Sequence, residues 1–335
     1  MTADQLPTIP VRLTPIEAVE TIEQTLLAGL DPECVPPRSS VAVPAGELLL
    51  MPAAGSSHVG VKIAGVAAGN PARGLPRITG SYLLLDGPTL RPLALFDGAA
   101  LTAVRTPAVT AVAMRRLAVP DASHLVLFGT GPQAYGHLDA MAAIRPLTRL
   151  TVVSRSAAPA RELAEHARSL GLAATVGKPD AVADADLVVC ATTARTPLFD
   201  GTLVPAHAAV AAVGSHEPTA REVDTALVRR SAVYVEARAA ASREAGDLLV
   251  AGWDEIFDGE SGPGNLAELV RGRITVPDDR PRLFKSVGMS WEDLAVAVAL
   301  YRRSLNDPDT PSAGRPSTSG SAAPAAHRPP RPGRP

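Results

Sequence analysis

The segment HLVLFGTGPQA (124–134) decides the fold, because an apolar strand runs directly into a glycine turn and then into a helix. Its pattern is G-x-G-x-x-A, in which Gly129 allows a tight turn and Gly131 lets the backbone approach a diphosphate. The helix begins near Pro132 and Gln133 and presents free amides and the positive end of its dipole to phosphate groups. The segment predicts the cofactor-binding turn of a dinucleotide-binding Rossmann domain.

The chain around this segment shows the spacing of βαβ units, with short apolar runs alternating with helical patterns. Their Val and Leu content is typical of strands buried on both faces. The predicted strands are residues 124–129, 149–155, 185–192, 208–214 and 232–237. Helices are predicted at 133–144 and 157–169, the second with Ser156 as N-cap. We therefore predict an α/β fold whose middle part, residues 119–284, is a doubly wound parallel Rossmann sheet.

Residues 1–118 have a different pattern. A helix predicted at 15–30, with Thr14 as N-cap, precedes five short alternating segments separated by Gly, Pro and Asp turns. Such segments favour a mostly antiparallel sheet, so this part is a mixed α+β domain with a boundary near Pro120. At the other end, residues 306–335 are rich in Pro, Ser, Ala, Gly and Arg, which predicts a disordered tail.

Composition excludes several classes of protein. With 32 basic and 34 acidic residues the net charge is −2, which leaves no field to bind nucleic acid. Neither a basic n-region nor an apolar stretch long enough for a membrane span is present, so we expect a cytoplasmic protein without membrane contact. Cys34 and Cys190 are too few for a disulfide framework or a metal cluster, and no metal-binding motif occurs.

The end of the second parallel strand predicts which nicotinamide cofactor is bound. NAD-binding domains carry an acidic residue there, whereas this chain has Ser154-Arg155-Ser156 and no acid before Glu162. A guanidinium and two hydroxyls suit a 2′-phosphate through paired, charge-assisted hydrogen bonds. NADP(H) is therefore the expected cofactor, with NAD(H) also possible. The alternative is that Arg155 only extends into solvent.

Five segments stand in an order that covers most of residues 35–302: AVRTPAVTAVA (103–113), GTGPQAYGHLDAM (129–141), AVGSHEPTAREVD (212–224), SREAGDLL (242–249) and LFKSVGMSWEDLAVA (283–297). Together they resemble the ornithine cyclodeaminase and mu-crystallin family. The resemblance implies a homodimer in which the N-terminal segment and the last helix, residues 285–305, form a substrate and dimerisation domain. It also implies active sites between that domain and the Rossmann domain.

The resemblance also marks individual positions. Arg38 and Lys62 match residues that engage the substrate carboxylate and the reacting centre, and Arg105 matches a residue that contacts substrate or cofactor phosphate. The other matched positions are those lining the nicotinamide or its ribose, Thr192, Thr193, Val213 and Ser286, and one near the ligand of mu-crystallin, Glu244.

Physical chemistry agrees with these roles. Two arginines can hold a carboxylate in bidentate fashion. Lys62 lies in an otherwise apolar strand, where desolvation lowers a lysine pKa towards the range useful for proton transfer. The plain alternatives are that Arg38 and Arg105 form surface ion pairs and that Lys62 extends from a strand edge into water.

One departure from the family bears on the reaction. Its cyclodeaminases carry an aspartate in a GAD or GGD motif where this chain has Gly214-Ser215-His216, and mu-crystallin, which reduces cyclic ketimines, also lacks it. The chain is therefore predicted to be an NADPH-dependent reductase of a small cyclic imine, a pyrroline- or piperideine-2-carboxylate. His216, with a pKa near neutrality, is a candidate proton donor or simply a histidine satisfied in its loop.

Three other functions stay open at this point. They are ornithine cyclisation, an amino-acid dehydrogenase or reductive condensation reaction, and non-catalytic NADPH-dependent binding of a small ligand. Retention of Arg38, Lys62 and Arg105 argues against the last, because a pure binding protein has no use for that set.

Overall fold

The structure is a computed structural model that describes residues 6–257 and 262–306. Two β-sheets, each with its own helices, make up the fold. The elements of the first part are α1 Pro15–Leu27, β1 Ser39–Val43, β2 Gly46–Ala54, β3 His58–Val66, β4 Ile78–Asp86, β5 Pro92–Asp97 and α2 Gly98–Leu117.

Helix α1 begins where the sequence predicts but ends earlier. Thr14 and Glu17 form a capping box: the Thr14 side chain accepts from the Glu17 amide at 3.3 Å, and the Glu17 carboxylate accepts from the Thr14 amide at 2.8 Å. The prediction of a helix as far as Leu30 is wrong, because the last helical residue is Leu27. Gly29, with φ +112°, adopts a backbone conformation that turns the chain out of the helix.

The strands β1 to β5 form an antiparallel sheet in sequential order, as the alternating segments predict. Successive residues of a strand face opposite sides of the sheet. Within the described ranges, helix α2 and the last helix, Ser290–Asn306, cover one of these sides and no helix covers the other. Lys62 pairs with Tyr82 on the covered face, and both are buried. The uncovered face carries partly or fully exposed apolar side chains, namely Leu48, Leu50, Val61, Ile63, Leu83 and Leu95.

The rest of the chain forms a parallel sheet with the strand order β12-β11-β13-β10-β9-β6-β7-β8. Its elements are β6 His124–Phe128, α3 Pro132–Ile144, β7 Arg149–Val153, α4 Ala157–Ser169, β8 Ala173–Val176, β9 Leu187–Cys190, β10 Ala209–Ala212, α5 Thr225–Arg230, β11 Ala232–Val235, α6 Arg238–Glu244, α7 Gly246–Ile256, β12 Gly264–Asn265, α8 Leu266–Val270, β13 Arg282–Lys285 and α9 Ser290–Asn306. The predicted Rossmann fold is confirmed, and all five predicted strands are present. The strands that the sequence did not predict, β8, β12 and β13, have two to four residues each.

Two helices connect the sheets. Helix α2 contacts β4 and β5 on one side and β10 and β13 on the other, and α9 returns from the parallel sheet to pack on α1, α2 and strands β2 to β4. No helix in the described ranges has both the length and the apolar character needed to span a membrane. The predicted tail begins with Asn306, which is the last residue of α9. The remainder of the tail lies outside the described residues.

Candidate active site

The glycine turn after β6 is shaped to receive a phosphate group. Gly129 has φ +108°, and a Cβ atom there would lie 2.3 Å from the carbonyl oxygen of Ala191, so only glycine fits. Gly131 faces open space, since a Cβ atom on it would meet no atom within 4 Å. Helix α3 begins at Pro132 and directs the positive end of its dipole to this space. These features fit the diphosphate of a dinucleotide.

The loops after β9 and β10 lie beside this turn, where the strand order of the sheet reverses. Thr192 and Thr193 follow β9, and Val213 follows β10. Glu222 joins the two loops: its carboxylate accepts from the Thr192 amide at 2.8 Å, from the Thr192 hydroxyl at 2.6 Å and from the Gly214 amide at 2.7 Å. Burial raises the pKa of Glu222 to about 7.

A fully buried ion pair supports the loop that carries Ser215 and His216. The Lys285 Nζ donates to the Ser215 carbonyl at 2.7 Å and lies 2.8 Å from the Asp247 carboxylate. Asp247 in turn accepts from the Glu222 amide at 2.6 Å. The ion pair of Lys285 and Asp247 therefore fixes the position of this loop. Neither residue was predicted from the sequence.

The predicted near-neutral pKa of His216 is wrong. Burial, and then the positive charge of Arg38, lower the pKa of His216 to about 4. The imidazole is therefore neutral at pH 7 and holds no imidazolium proton to donate. Its proximity to the Arg38 charge nevertheless places it beside the candidate site.

The segment predicted to recognise a 2′-phosphate lies at the end of β7, on the other side of the glycine turn. Arg155 is exposed, and the Ser154 hydroxyl accepts from the Ser156 amide at 3.2 Å. Ser156 occupies the predicted N-cap position of α4, but its side chain makes no capping hydrogen bond. Arg155 and the two hydroxyls are therefore accessible to an anionic ligand.

Lys62 is a buried cation in the third strand of a five-stranded sheet, which rules out extension from a sheet edge. Its Nζ lies 2.7 and 3.0 Å from the two carboxylate oxygens of Asp293 and donates to the Thr102 hydroxyl at 3.2 Å. Burial lowers the pKa of Lys62 to about 8, although Asp293 favours its charged form. The Lys62 ammonium group is therefore desolvated, as its position in an apolar strand predicts.

Arg105 projects from α2 and is also buried, so it is not a surface ion-pair residue. Its Nη1 donates to the Glu292 carboxylate at 2.7 Å, and its Nε lies 3.6 Å from Asp293. The guanidinium rests against Gly288, where a Cβ atom would lie 2.7 Å from Nη1. Two acidic residues at the start of α9 thus hold the buried cations of β3 and α2.

Arg38 joins the two parts of the chain from the segment before β1. Its Nη2 donates to the carbonyl oxygens of Val287 and Gly288 at 2.7 and 2.6 Å and lies 2.8 Å from the Glu244 carboxylate. The side chains of Arg38 and Glu244 are 14% and 16% exposed, so they border the space between the two sheets. Burial raises the pKa of Glu244, against the effect of Arg38.

Gln133 and Ser286 connect these groups to the glycine turn and to β13. The Gln133 side chain donates to the Thr102 carbonyl at 3.2 Å, and the hydroxyl of the same threonine accepts from Lys62. Ser286 is buried, and its hydroxyl donates to Glu236 at 2.7 Å. The structure therefore brings Arg38, Lys62 and Arg105 to the carboxyl edge of the Rossmann sheet, while Arg155 lies farther along that edge.

Taken together, the strand order, the glycine turn and the buried cations define a two-domain dinucleotide-binding protein with a site between its sheets. The chain belongs to the ornithine cyclodeaminase/mu-crystallin family, whose model matches residues 17–307.

Named relatives and a solved structure show the same likeness. The chain is 37% identical over 260 residues to Delta(1)-pyrroline-2-carboxylate reductase 2 of Burkholderia ambifaria, covering 75% of this chain and 78% of that protein. It is 32% identical over 263 residues to ketimine reductase mu-crystallin of Mus musculus, covering 78% and 82%. It is similar to Thermococcus litoralis Delta(1)-pyrroline-2-carboxylate reductase in complex with NADH and L-proline, with TM-score 0.83, 29% identity and coverage of 90% and 98%.

Proposed function

We infer that this chain is an NAD(P)H-dependent imine reductase that converts a cyclic 2-carboxy imine, a pyrroline- or piperideine-2-carboxylate, into the cyclic amino acid. The relatives reported above are named for reactions of this class. The observation that carries the proposal is the meeting of Lys62, Arg105 and Arg38 at the carboxyl edge of a Rossmann sheet. Dinucleotides bind at that edge in folds of this type.

Each of these cations has a role in that reaction. A nicotinamide dinucleotide held with its diphosphate at the glycine turn would supply the hydride for the imine carbon. Arg38 and Arg105 hold the substrate carboxylate, which fixes the orientation of the adjacent carbon. Lys62 bears the proton that the imine nitrogen needs, and a pKa of about 8 keeps it mostly protonated at neutral pH. His216, whose pKa of about 4 leaves it neutral at pH 7, contributes no charge.

The test is a set of assays on the purified protein with pyrroline-2-carboxylate, piperideine-2-carboxylate and ornithine. We expect oxidation of NADPH with one or both imines. Release of ammonia from ornithine in the presence of NAD, without reduction of either imine, would refute the proposal. Lack of the cyclodeaminase aspartate at Gly214-Ser215-His216 supports the expected result.

We also propose that NADPH is preferred over NADH. Arg155 is exposed at the end of β7, and the first acidic residue after it, Glu162, lies on the exposed side of α4. No carboxylate among the residues that the structure describes forms an ion pair with Arg155, which supports its pairing with a 2′-phosphate. Titration of the intrinsic fluorescence with each cofactor tests this, and equal or tighter binding of NADH contradicts it.

A homodimer is the proposed assembly, with residues 1–118 and 285–305 as the substrate and dimerisation domain. The uncovered face of the antiparallel sheet supports this, because a contiguous apolar face of this kind is uncommon on a monomer. Ile63 is 43% exposed at its centre. We expect light scattering to give twice the chain mass for the wild type and the chain mass for Ile63→Glu. A monomeric wild type refutes the proposal.

A further inference from the structure

The loop of residues 286–289, which follows β13, separates the two arginines of the candidate site. On one side, the carbonyl oxygens of Val287 and Gly288 accept hydrogen bonds from Arg38 at 2.7 and 2.6 Å. On another, Gly288 packs directly against the guanidinium of Arg105. A shift of this loop would therefore displace both Arg38 and Arg105, the two residues that would hold the substrate carboxylate.

Glu236, at the end of β11, holds this loop from its opposite side. Its carboxylate accepts from the Ser286 hydroxyl at 2.7 Å and from the amides of Val287 and Gly288, each at 2.9 Å. The residue is 1% exposed, so no water competes for these donors. Three donors around one carboxyl group are the bonding pattern of an ionised carboxylate, whose oxygens act only as acceptors.

The covalent geometry of the loop transmits this contact to Arg38. The Val287 carbonyl and the Gly288 amide belong to one peptide unit, which is planar and trans, so the oxygen and the hydrogen point in opposite directions. When Glu236 fixes the amide hydrogen, it also fixes the carbonyl oxygen that accepts from Arg38.

The next peptide unit is held in the same way by Glu292. The Gly288 carbonyl accepts from Arg38, and the amide of the same unit, that of Met289, donates to Glu292 at 3.0 Å. Glu292 also accepts from Arg105, and burial followed by the neighbouring Glu236 raises its pKa well above the usual range. Both carbonyl oxygens that orient Arg38 thus belong to peptide units whose amides are held by buried carboxyl groups.

We propose that Glu236 is a positioning residue for the reaction proposed above: by holding residues 286–289, it orients Arg38 and fixes the backbone on which Arg105 rests. It does not contact the substrate itself. The inference rests on the proposed function, because the two arginines matter only if the substrate carries a carboxylate.

The test compares Glu236→Gln with Glu222→Gln, a closely matched control. Glu222 is also buried and also accepts from two amides and one hydroxyl, but it holds the loops at Thr192 and Gly214 beside the proposed cofactor. Losing a charge-assisted acceptor is expected to raise the KM for the imine about tenfold in Glu236→Gln, with little change in the KM for NADPH. Glu222→Gln is expected to raise the KM for NADPH instead.

Two further variants separate positioning from general destabilisation. Glu236→Asp keeps the carboxylate with one methylene less and is expected to recover part of the wild-type KM. In a double-mutant cycle, Glu236→Gln should raise the KM of Arg38→Ala by a smaller factor than it raises the wild-type KM, because part of its effect passes through Arg38. Full additivity of the two effects overturns the proposal, as does an equal rise of both KM values in Glu236→Gln.

Hydrogen exchange of the peptide that spans residues 284–291 gives a readout that does not need activity. Glu236→Gln should accelerate exchange of the Val287 and Gly288 amides, and unchanged exchange overturns the proposal. If the wild-type protein reduces no imine, the proposed function is refuted. Hydrogen exchange at these two amides then still shows whether Glu236 holds the loop. Faster exchange with an unchanged KM for the imine overturns the positioning role.

Discussion

Replacing Gly288 by alanine is expected to displace Arg105 while leaving the protein folded. The new Cβ atom would lie 2.7 Å from Nη1, 3.1 Å from Nη2 and 3.3 Å from Cζ of the guanidinium. Ordinary contact needs roughly 3.5 Å or more, so the guanidinium must move by about 1 Å. A displacement of about 1 Å at a group that orients substrate can lower kcat/KM by about a hundredfold.

Backbone strain is a second effect of this substitution, and Gly272 provides its control. Gly288 has φ +77° and Gly272 has φ +65°, a conformation that costs an alanine about 1–2 kcal/mol. A Cβ atom at Gly272 would meet no atom within 4 Å, so Gly272→Ala introduces the strain without the clash. Both variants should therefore show a Tm lowered by a few degrees.

Steady-state kinetics with the cyclic imine and thermal unfolding of the same samples provide the assay. We expect Gly288→Ala to lose about a hundredfold in kcat/KM, and Gly272→Ala to keep wild-type kinetics. Equal losses in the two variants would refute the reasoning, because the effect would then come from backbone strain alone. Wild-type kinetics in Gly288→Ala would show that the activity does not depend on the position of the Arg105 guanidinium.

Three further predictions concern charge. Arg155→Ser should weaken NADPH binding at least tenfold and leave NADH binding unchanged in fluorescence titrations, because only NADPH carries the 2′-phosphate; equal losses for both cofactors would contradict it. The kcat/KM for the imine should fall as pH rises through about 8, where the pKa of Lys62 lies and its proton is lost, and a profile that stays flat above that pH would argue against Lys62 as the proton-bearing group. His216→Gln should not change the pH profile between about pH 5 and 8, because the pKa of the imidazole is about 4; loss of a limb near neutrality in the variant would show otherwise.

Most of the fold was predictable because the periodicity of hydrophobic residues and the positions of turn residues are local features of the sequence. The five alternating segments before Asp97 and the apolar runs after Asp121 gave both sheets. The strand β13 was missed because four residues, Arg282–Lys285, with a charge at each end, do not resemble a buried strand. Arg282 and Lys285 are nevertheless buried, because backbone carbonyls and Asp247 satisfy their donors.

The acidic half of the candidate site was not predictable from the same signals. Glu292 and Asp293 stand in the first turn of a helix, where acidic residues ordinarily face solvent and favour the helix dipole. They are buried only because α9 packs across the antiparallel sheet opposite Lys62. Likewise, the pKa of His216 depends on burial and on the charge of Arg38, which is 178 positions away in the chain. Such effects arise from tertiary contacts, which a single sequence does not reveal.

The mutual pairing of charges in the candidate site has a consequence for which molecules it admits. Lys62, Arg105 and Arg38 each lie against a carboxyl group, but burial raises the pKa of Glu292 and of Glu244, so these groups offset the three cations only in part. A monoanion, with one carboxylate and a neutral imine, brings a charge of the sign that the site lacks and leaves the proton for the imine nitrogen on Lys62. A cation would add to the unmatched positive charge, which is costly in a poorly hydrated space. We therefore expect the site to select its ligand by net charge as well as by ring size.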